Sequence, residues 1–194
     1  VSSRSSTDTM SEAAGAYVIS GPTAVGKGTV VAALKKRHPR VFVSVSVTTR
    51  PPRPGEINGV HYLFVDDAVF DDLVADDGLL EWARVHGVHR YGTPRKAVAD
   101  RLAEGVPTIL EIDLQGARQV RRTMPEAKQI FIAPPSWDEL VRRLRGRGTE
   151  SEEEMNRRLE TARQELAAEN EFDRVIANVT VDNTVDELVK FIGL

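Results

Sequence analysis

The chain has 194 residues, a formal net charge of −3, no cysteine and 41% hydrophobic residues. That length suits one domain with inserted lobes and a buried core, and the weak net charge argues against a broad field for nucleic acid or anionic membrane. The lack of cysteine excludes disulfides, thiolate zinc sites and cysteine nucleophiles, and no apolar run approaches the length of a membrane span.

The opening stretch, Val1 to Gly15, is rich in Ser, Thr, Ala and Gly. It lacks the apolar centre of a secretory signal, so it reads as a flexible tail and the cytoplasm is the expected location. The apolar run Ala16-Tyr17-Val18-Ile19-Ser20 then leads into Gly21-Pro22-Thr23-Ala24-Val25-Gly26-Lys27-Gly28-Thr29, and an amphipathic run from Val30 to Arg37 follows. Strand, glycine loop and helix in that order form the setting of a phosphate-binding loop. Gly21 and Gly26 let the backbone approach an anion closely. Backbone N–H groups and the helix N-terminus face the anion, and Lys27 adds a flexible charge. The hydroxyl that binds magnesium normally follows the lysine directly. Here Gly28 stands there and the hydroxyl comes one later, so Thr29 is not assigned as a metal ligand.

Val41 to Val47 alternates apolar and polar residues like a half-buried strand. A proline-rich turn, Thr48 to Gly55, carries Arg50 and Arg53. Further on, His61 to Val65 reads as a strand, Asp67 to Ala75 as a helix, Leu79 to Val85 as a strand and Pro94 to Glu104 as a helix. Val106 to Asp113 is a buried strand ending in acids, Gln115 to Met124 a helix, and Gln129 to Ala133 another buried strand. Ser136 with Glu139, Ser151 with Glu154 and Thr184 with Glu187 form capping boxes for three helices, and Arg174 to Val179 is the last strand. Apolar strands alternating with helices imply a three-layer α/β fold with a mainly parallel sheet. The core is expected at 16–49, 94–145 and 171–194, with a small mixed lobe inserted at about 50–93. The charge-dense segment at about 146–170 is expected to be a mobile lid.

Phosphoryl transfer needs a second anion site opposite the first, and water kept out. Arg50 and Arg53, on a turn stiffened by Pro51, Pro52 and Pro54, suit that site because a guanidinium pairs bidentately with phosphate; the alternative is two surface arginines. Arg143, Arg147 and Arg158 are candidates for neutralising the transferring phosphate, among neighbours Arg142, Arg145 and Arg157 that composition alone does not separate from them. Asp113 ends a strand where open α/β sheets gather ligands. Glu81, an acid between Leu80 and Trp82, needs a donor. A guanine edge offers two N–H groups; a salt bridge to Arg84 or Arg90 is the alternative.

Taken in order, several runs resemble the guanylate kinase family. They are Gly21 to Thr29, Ser46 to Glu56, Asn58-Gly59, Tyr62, Leu80 to Ala83, Tyr91 to Thr93, Ile112 to Gly116 and Gly146 to Glu150. The resemblance covers about Tyr17 to the C-terminus. It implies a P-loop NTPase core, an inserted GMP-binding lobe and a lid, and the reaction of ATP with GMP to give ADP and GDP. It further implies magnesium held mainly by phosphates and water, and a monomer or homodimer with no nucleic-acid or membrane partner. The matching positions imply that Lys27 and its loop, from Gly21, Pro22, Thr23, Ala24, Val25 and Gly26 through Gly28 and Thr29, hold ATP, with Asn178 beside adenine. Ser46, Arg50, Arg53, Tyr62 and Tyr91 would hold the GMP phosphate, and Glu81, Thr93 and Asp113 would read guanine. Arg143, Arg147 and Arg158 would reach the transferring phosphate or adenine. A catalytically silent, peptide-binding relative of the same fold is the alternative; it would show a decayed loop or missing lid arginines. Two departures stand out. Ala24 replaces the second loop glycine, and Gly87 to Thr93 is one residue longer than the family's run and lacks its first tyrosine.

Overall fold

The computed structural model describes residues 14–85, 88–146 and 152–194. Most of the expected tail, together with Arg147 and the expected cap Ser151, lies outside these residues. In chain order the elements are β1 (Ala16–Ser20), α1 (Lys27–Arg37), β2 (Phe42–Val43), β3 (Val47–Thr48), β4 (Leu63–Phe64) and α2 (Asp67–Ala75). Then come β5 (Leu79–Val85), β6 (His89–Pro94), α3 (Arg95–Ala103), β7 (Thr108–Glu111), α4 (Leu114–Thr123) and β8 (Lys128–Ala133). The chain finishes with α5 (Trp137–Arg145), α6 (Glu152–Ala167), a short 3-10 turn (Glu169–Glu171), β9 (Arg174–Ala177) and α7 (Val181–Ile192).

Five strands form a parallel sheet in the order β2-β7-β1-β8-β9. Its strands are apolar on both faces because helices cover both. Tyr17 and Ile19 of β1 face a cluster with Val30, Val31 and Leu34 of α1 and Val185, Leu188 and Ile192 of α7. Their neighbours Ala16 and Val18 face the opposite cluster, with Val98 of α3 and Ala117 and Val120 of α4. The period of two in β1 thus builds a three-layer core. The register pairs Ile19 with both Glu111 and Ile130, so β1 and β7 end within a residue of each other while β8 runs on to Ala133. The loops leaving those ends meet above the sheet.

The second sheet, in the order β4-β3-β6-β5, is mixed and packs on α2 through Val47, Phe70 and Leu79. The expected strand Val41 to Val47 is therefore two strands in two sheets. The N–H of Ser44 still donates to Ile109 of the parallel sheet (2.9 Å), while the carbonyl of Ser46 already accepts from Leu63 of the lobe (2.9 Å). Alternation cannot register such a change of partner, so β3 joins the lobe rather than the expected core segment. The strand β6 was not expected; its polar residues are held by pairing with β3 on one side and β5 on the other. Ser136 caps α5 as expected, accepting from the N–H of Glu139 (3.2 Å). Thr184 does not cap α7: Thr180 does, accepting from Asn183 (3.2 Å), and Thr184 is buried one turn inside.

The lobe is tied to the core along β5. The side-chain amide of Gln119 on α4 accepts from the N–H of Trp82 (3.1 Å) and donates to its carbonyl (2.8 Å). Thr123 donates to the carbonyl of Leu80 (2.7 Å). These side chains act as a substitute strand, fixing Glu81 between its two tethered neighbours. Gln119→Ala removes two such bonds, each worth about 0.5–1.5 kcal/mol. Urea unfolding is expected to show a loss of about 1–3 kcal/mol, and an unchanged midpoint would show that β5 is held by packing alone.

Candidate active site

The glycine loop bends as its residue types require. Gly21 has φ 147°, and a Cβ there would lie 2.2 Å from the carbonyl oxygen of Ile132. Gly26 (φ 98°) caps α1. Ala24 also lies in the left-handed region (φ 66°). The expected adjustment at this position is thus a non-glycine residue held at a cost of about 1–2 kcal/mol. Its methyl packs against the cluster of Leu140, Leu144 and Ala162. Lys27 curls back over the loop and donates to the carbonyls of Gly21 and of Pro22 (3.3 Å). Burial lowers its pKa, against the pull of Glu165, Glu111 and Asp113, in that order. Gly28 and Thr29 are exposed.

The carbonyl of Val25 is gripped twice, by Nδ2 of Asn178 (2.8 Å) and by Nη1 of Arg143 (3.1 Å). Asn178 is 4% exposed, and its other end accepts from the hydroxyl of Thr184 (2.9 Å). Its amide is spent inside the protein, so it braces the loop instead of presenting a free edge to a base.

At the expected second anion site, Arg50 is buried while Arg53 is exposed. Glu56 takes the two Nη groups of Arg50 bidentately (2.9 and 2.9 Å), Pro51 accepts from Nη1 (2.8 Å), and Nε donates to the hydroxyl of Tyr91 (3.1 Å). Tyr62 lies under the guanidinium, 5.3 Å from ring centre, and packs edge-on to Tyr91. Each nitrogen of the Arg50 guanidinium thus has a partner in the lobe, with the Tyr91 hydroxyl on its Nε. Hydrogen bonds from Arg50 and the backbone of Arg53 hold Glu56 down at about 2. Arg53 and Arg50 do not converge here; only the backbone of Arg53 reaches Glu56 (2.7 Å). Ser46, half-buried, stands where the chain crosses between sheets.

Between these sites lies Glu81, buried, with Oε1 accepting from the hydroxyl of Thr93 (2.6 Å). The salt-bridge alternative fails. Arg90 is committed to Asp67 and Asp71 and stacks on Phe70, and Arg84 donates to the carbonyl of Val88. Burial pushes the carboxyl of Glu81 up to about 7, with Asp113 adding to it and Thr93 opposing. Asp113 caps α4 through one oxygen, accepting from the N–H of Gly116 (2.7 Å). Gly116 itself makes room, since a Cβ there would lie 2.8 Å from Oε2 of Glu81.

The structure separates the arginines. Arg143 bonds Glu139 (2.8 Å) and the loop, whereas Arg142 and Arg145 are exposed. Arg158 is half-buried on α6, and Arg147 lies outside the described residues. Sequence reasoning missed Glu165 as a site residue. It is nearly buried and accepts from the loop N–H of Thr23 (3.4 Å). One signal was present: Glu165 flanks an apolar stripe of Met155, Leu159, Ala162 and Leu166 on a helix otherwise crowded with exposed glutamates. Glu111 ends β7, two residues before Asp113. Burial raises its pKa, and the charge of Lys27 opposes the rise.

A carboxyl whose folded pKa is raised carries no penalty below its unfolded pKa near 4.5 and the full penalty above about 7. That penalty is roughly 3 kcal/mol at most. Glu81→Gln should therefore stabilise the ligand-free protein at pH 8 and do little at pH 4.5. Equal changes in melting temperature at both pH values would contradict this.

The family model for guanylate kinase matches residues 13–193. A guanylate kinase of Thermobifida fusca is 64% identical over 176 residues, 91% of this chain and 89% of its own. One from Cutibacterium acnes is 60% identical over 177 residues, with 91% and 89% covered. The crystal structure of guanylate kinase from Anaplasma phagocytophilum matches with a TM-score of 0.74 and 34% identity, over 92% of this chain and 84% of that one.

Proposed function

The chain belongs to the guanylate kinase family, and we propose how its residues divide the work of phosphorylating GMP to GDP with ATP. The observation that carries the reading is Glu81. A buried carboxylate whose hydrogen bonds come from Thr93 alone, through its hydroxyl and backbone, with no Lys or Arg paired to it among the described residues, is built for a ligand with N–H groups. Guanine has two on one edge. Thr93 and Asp113 stand beside Glu81 to share that edge.

The loop from Gly21 to Thr29 takes the triphosphate, with Lys27 swinging off its carbonyls onto the β- and γ-phosphates. Arg50, Tyr62 and Tyr91 take the GMP phosphate, and Arg53 and Ser46 complete that site as the lobe closes. No side chain acts as nucleophile. An oxygen of the GMP phosphate attacks the γ-phosphorus, the bond to the bridging oxygen breaks and ADP leaves. Catalysis is positioning plus neutralisation of spread charge. Arg143, already anchored beside the loop, supplies part of that charge, and Arg147 and Arg158 supply the rest on closure of the 146–170 segment. Closure also keeps water from the γ-phosphate. The loop lysine and Arg143 are both in place, which fits an active enzyme and not a silent peptide-binding module.

Among the described residues there is no group of three or more His, Asp or Glu side chains suited to a metal. Magnesium prefers substrate phosphates and water to an all-protein cage. Glu111, whose Oε1 would lie 3.6 Å from a Cβ on Gly28, is the carboxylate beside the loop that suits a hydrated cation. Bound magnesium would supply positive charge against the phosphates there. No helix among the described residues is long and apolar enough to cross a membrane, and we place the enzyme in the cytoplasm, in purine nucleotide metabolism.

A coupled assay of ADP release with GMP, AMP, CMP and UMP tests the reading. GMP should be strongly preferred. Lys27→Ala should lower kcat by about 100- to 1,000-fold with GMP affinity nearly unchanged. Glu81→Gln turns a donor toward one guanine N–H and should cut the preference for GMP over AMP by about 10- to 100-fold. Retained selectivity in that variant would refute the base-reading role, and equal loss of GMP binding in Lys27→Ala would refute the division of sites.

A further inference from the structure

Three consecutive residues of the glycine loop are held from one side by α5 and α6. The N–H of Thr23 donates to Oε2 of Glu165 (3.4 Å), the methyl of Ala24 packs on Leu140, Leu144 and Ala162, and Arg143 donates to the carbonyl of Val25 (3.1 Å). The Ala24 and Val25 contacts are compatible with a bound triphosphate. The Thr23 contact is not, because a carboxylate there occupies a loop N–H and lies within the field of Lys27. Two further acids, Glu111 of β7 and Asp113 at the start of α4, also bear on Lys27, so the ammonium is already compensated before any phosphate arrives. A polyphosphate entering this loop brings its own negative charges against Glu165.

We propose that Glu165 is a positioning residue that stands in for the triphosphate: it holds the empty loop through the N–H of Thr23 and is expelled when phosphates bind. The long contact to Thr23 is weak, so expulsion needs little. Glu165 also lines a cavity of about 460 Å³ between α4 and α6, together with Asp113, Arg118 and Arg122, which gives the displaced carboxylate space. Of the two arginines, Arg118 is already paired with Glu171. Because Glu165 lies on α6 with Arg158, its departure links occupancy of the loop to the helix that carries that arginine. The inference rests on the assignment of the loop to ATP made above.

The test is calorimetric titration of ADP, without GMP, into the wild-type protein, E165Q, E165A and K27A. Removing a stand-in anion is expected to tighten ADP binding about 5- to 10-fold in both Glu165 variants, corresponding to about 1–1.4 kcal/mol, with GMP affinity unchanged. A general loss of structure lowers affinity, so tightening is not what a purely structural role would give. Unchanged or weaker ADP binding in both variants overturns the proposal. In the wild-type protein, hydrogen exchange of the α6 amides near Glu165 should rise on ADP addition; protection that is unchanged or greater also overturns it. Normal ADP binding by K27A would count instead against the loop assignment.

Discussion

Cations meant for phosphate have to be kept in place before the phosphate comes, and burial makes an unpaired charge costly. The structure answers this in the same way at each site. Lys27 rests on loop carbonyls within the field of three acids. Arg50 is clasped by Glu56. Arg143 is shared between Glu139 and the carbonyl of Val25. Each cation is satisfied and pre-aimed, so less ordering remains to be done when the ligand arrives. Glu81 is the complement: a buried carboxylate that takes hydrogen bonds from Thr93 alone among the described residues and has no paired cation there.

The parallel sheet makes this arrangement possible. Because β1 and β7 end within a residue of each other, the glycine loop and Asp113 emerge from the same end of the sheet. The lobe is then hung over them by β3 and by the pairing of Gln119 with Trp82. Glu81 is thereby tied to α4 of the core, although its strand β5 also pairs in the lobe's sheet with β6, which carries Tyr91.

Much of this was legible in the sequence because it is local. The loop motif, the α2 boundaries, the cap at Ser136 and the buried strands β7 and β8 follow from spacing and residue type. The rest depends on partners far away in the chain. The break at Ser44 to Ser46 is invisible because the alternation runs on while the pairing changes from Ile109 to Leu63. The family resemblance sets Asn178 beside adenine, yet Val25 and Thr184 take up its amide. Glu165 is one glutamate among many on a charged helix until α6 is laid against the loop. The arginine set behaves likewise: only tertiary contact distinguishes Arg143 from Arg142.

The central claim is that two anion sites, one on the core and one on the lobe, face each other across a gap that a shared phosphate chain can span. The most direct measurement uses a dinucleotide in which adenosine and guanosine are joined through five phosphates. The account predicts inhibition competitive with both ATP and GMP, and binding about 100-fold or more tighter than either nucleotide alone, since the second site is filled intramolecularly. Competition with only one substrate, at an affinity no better than that substrate's own, would contradict it.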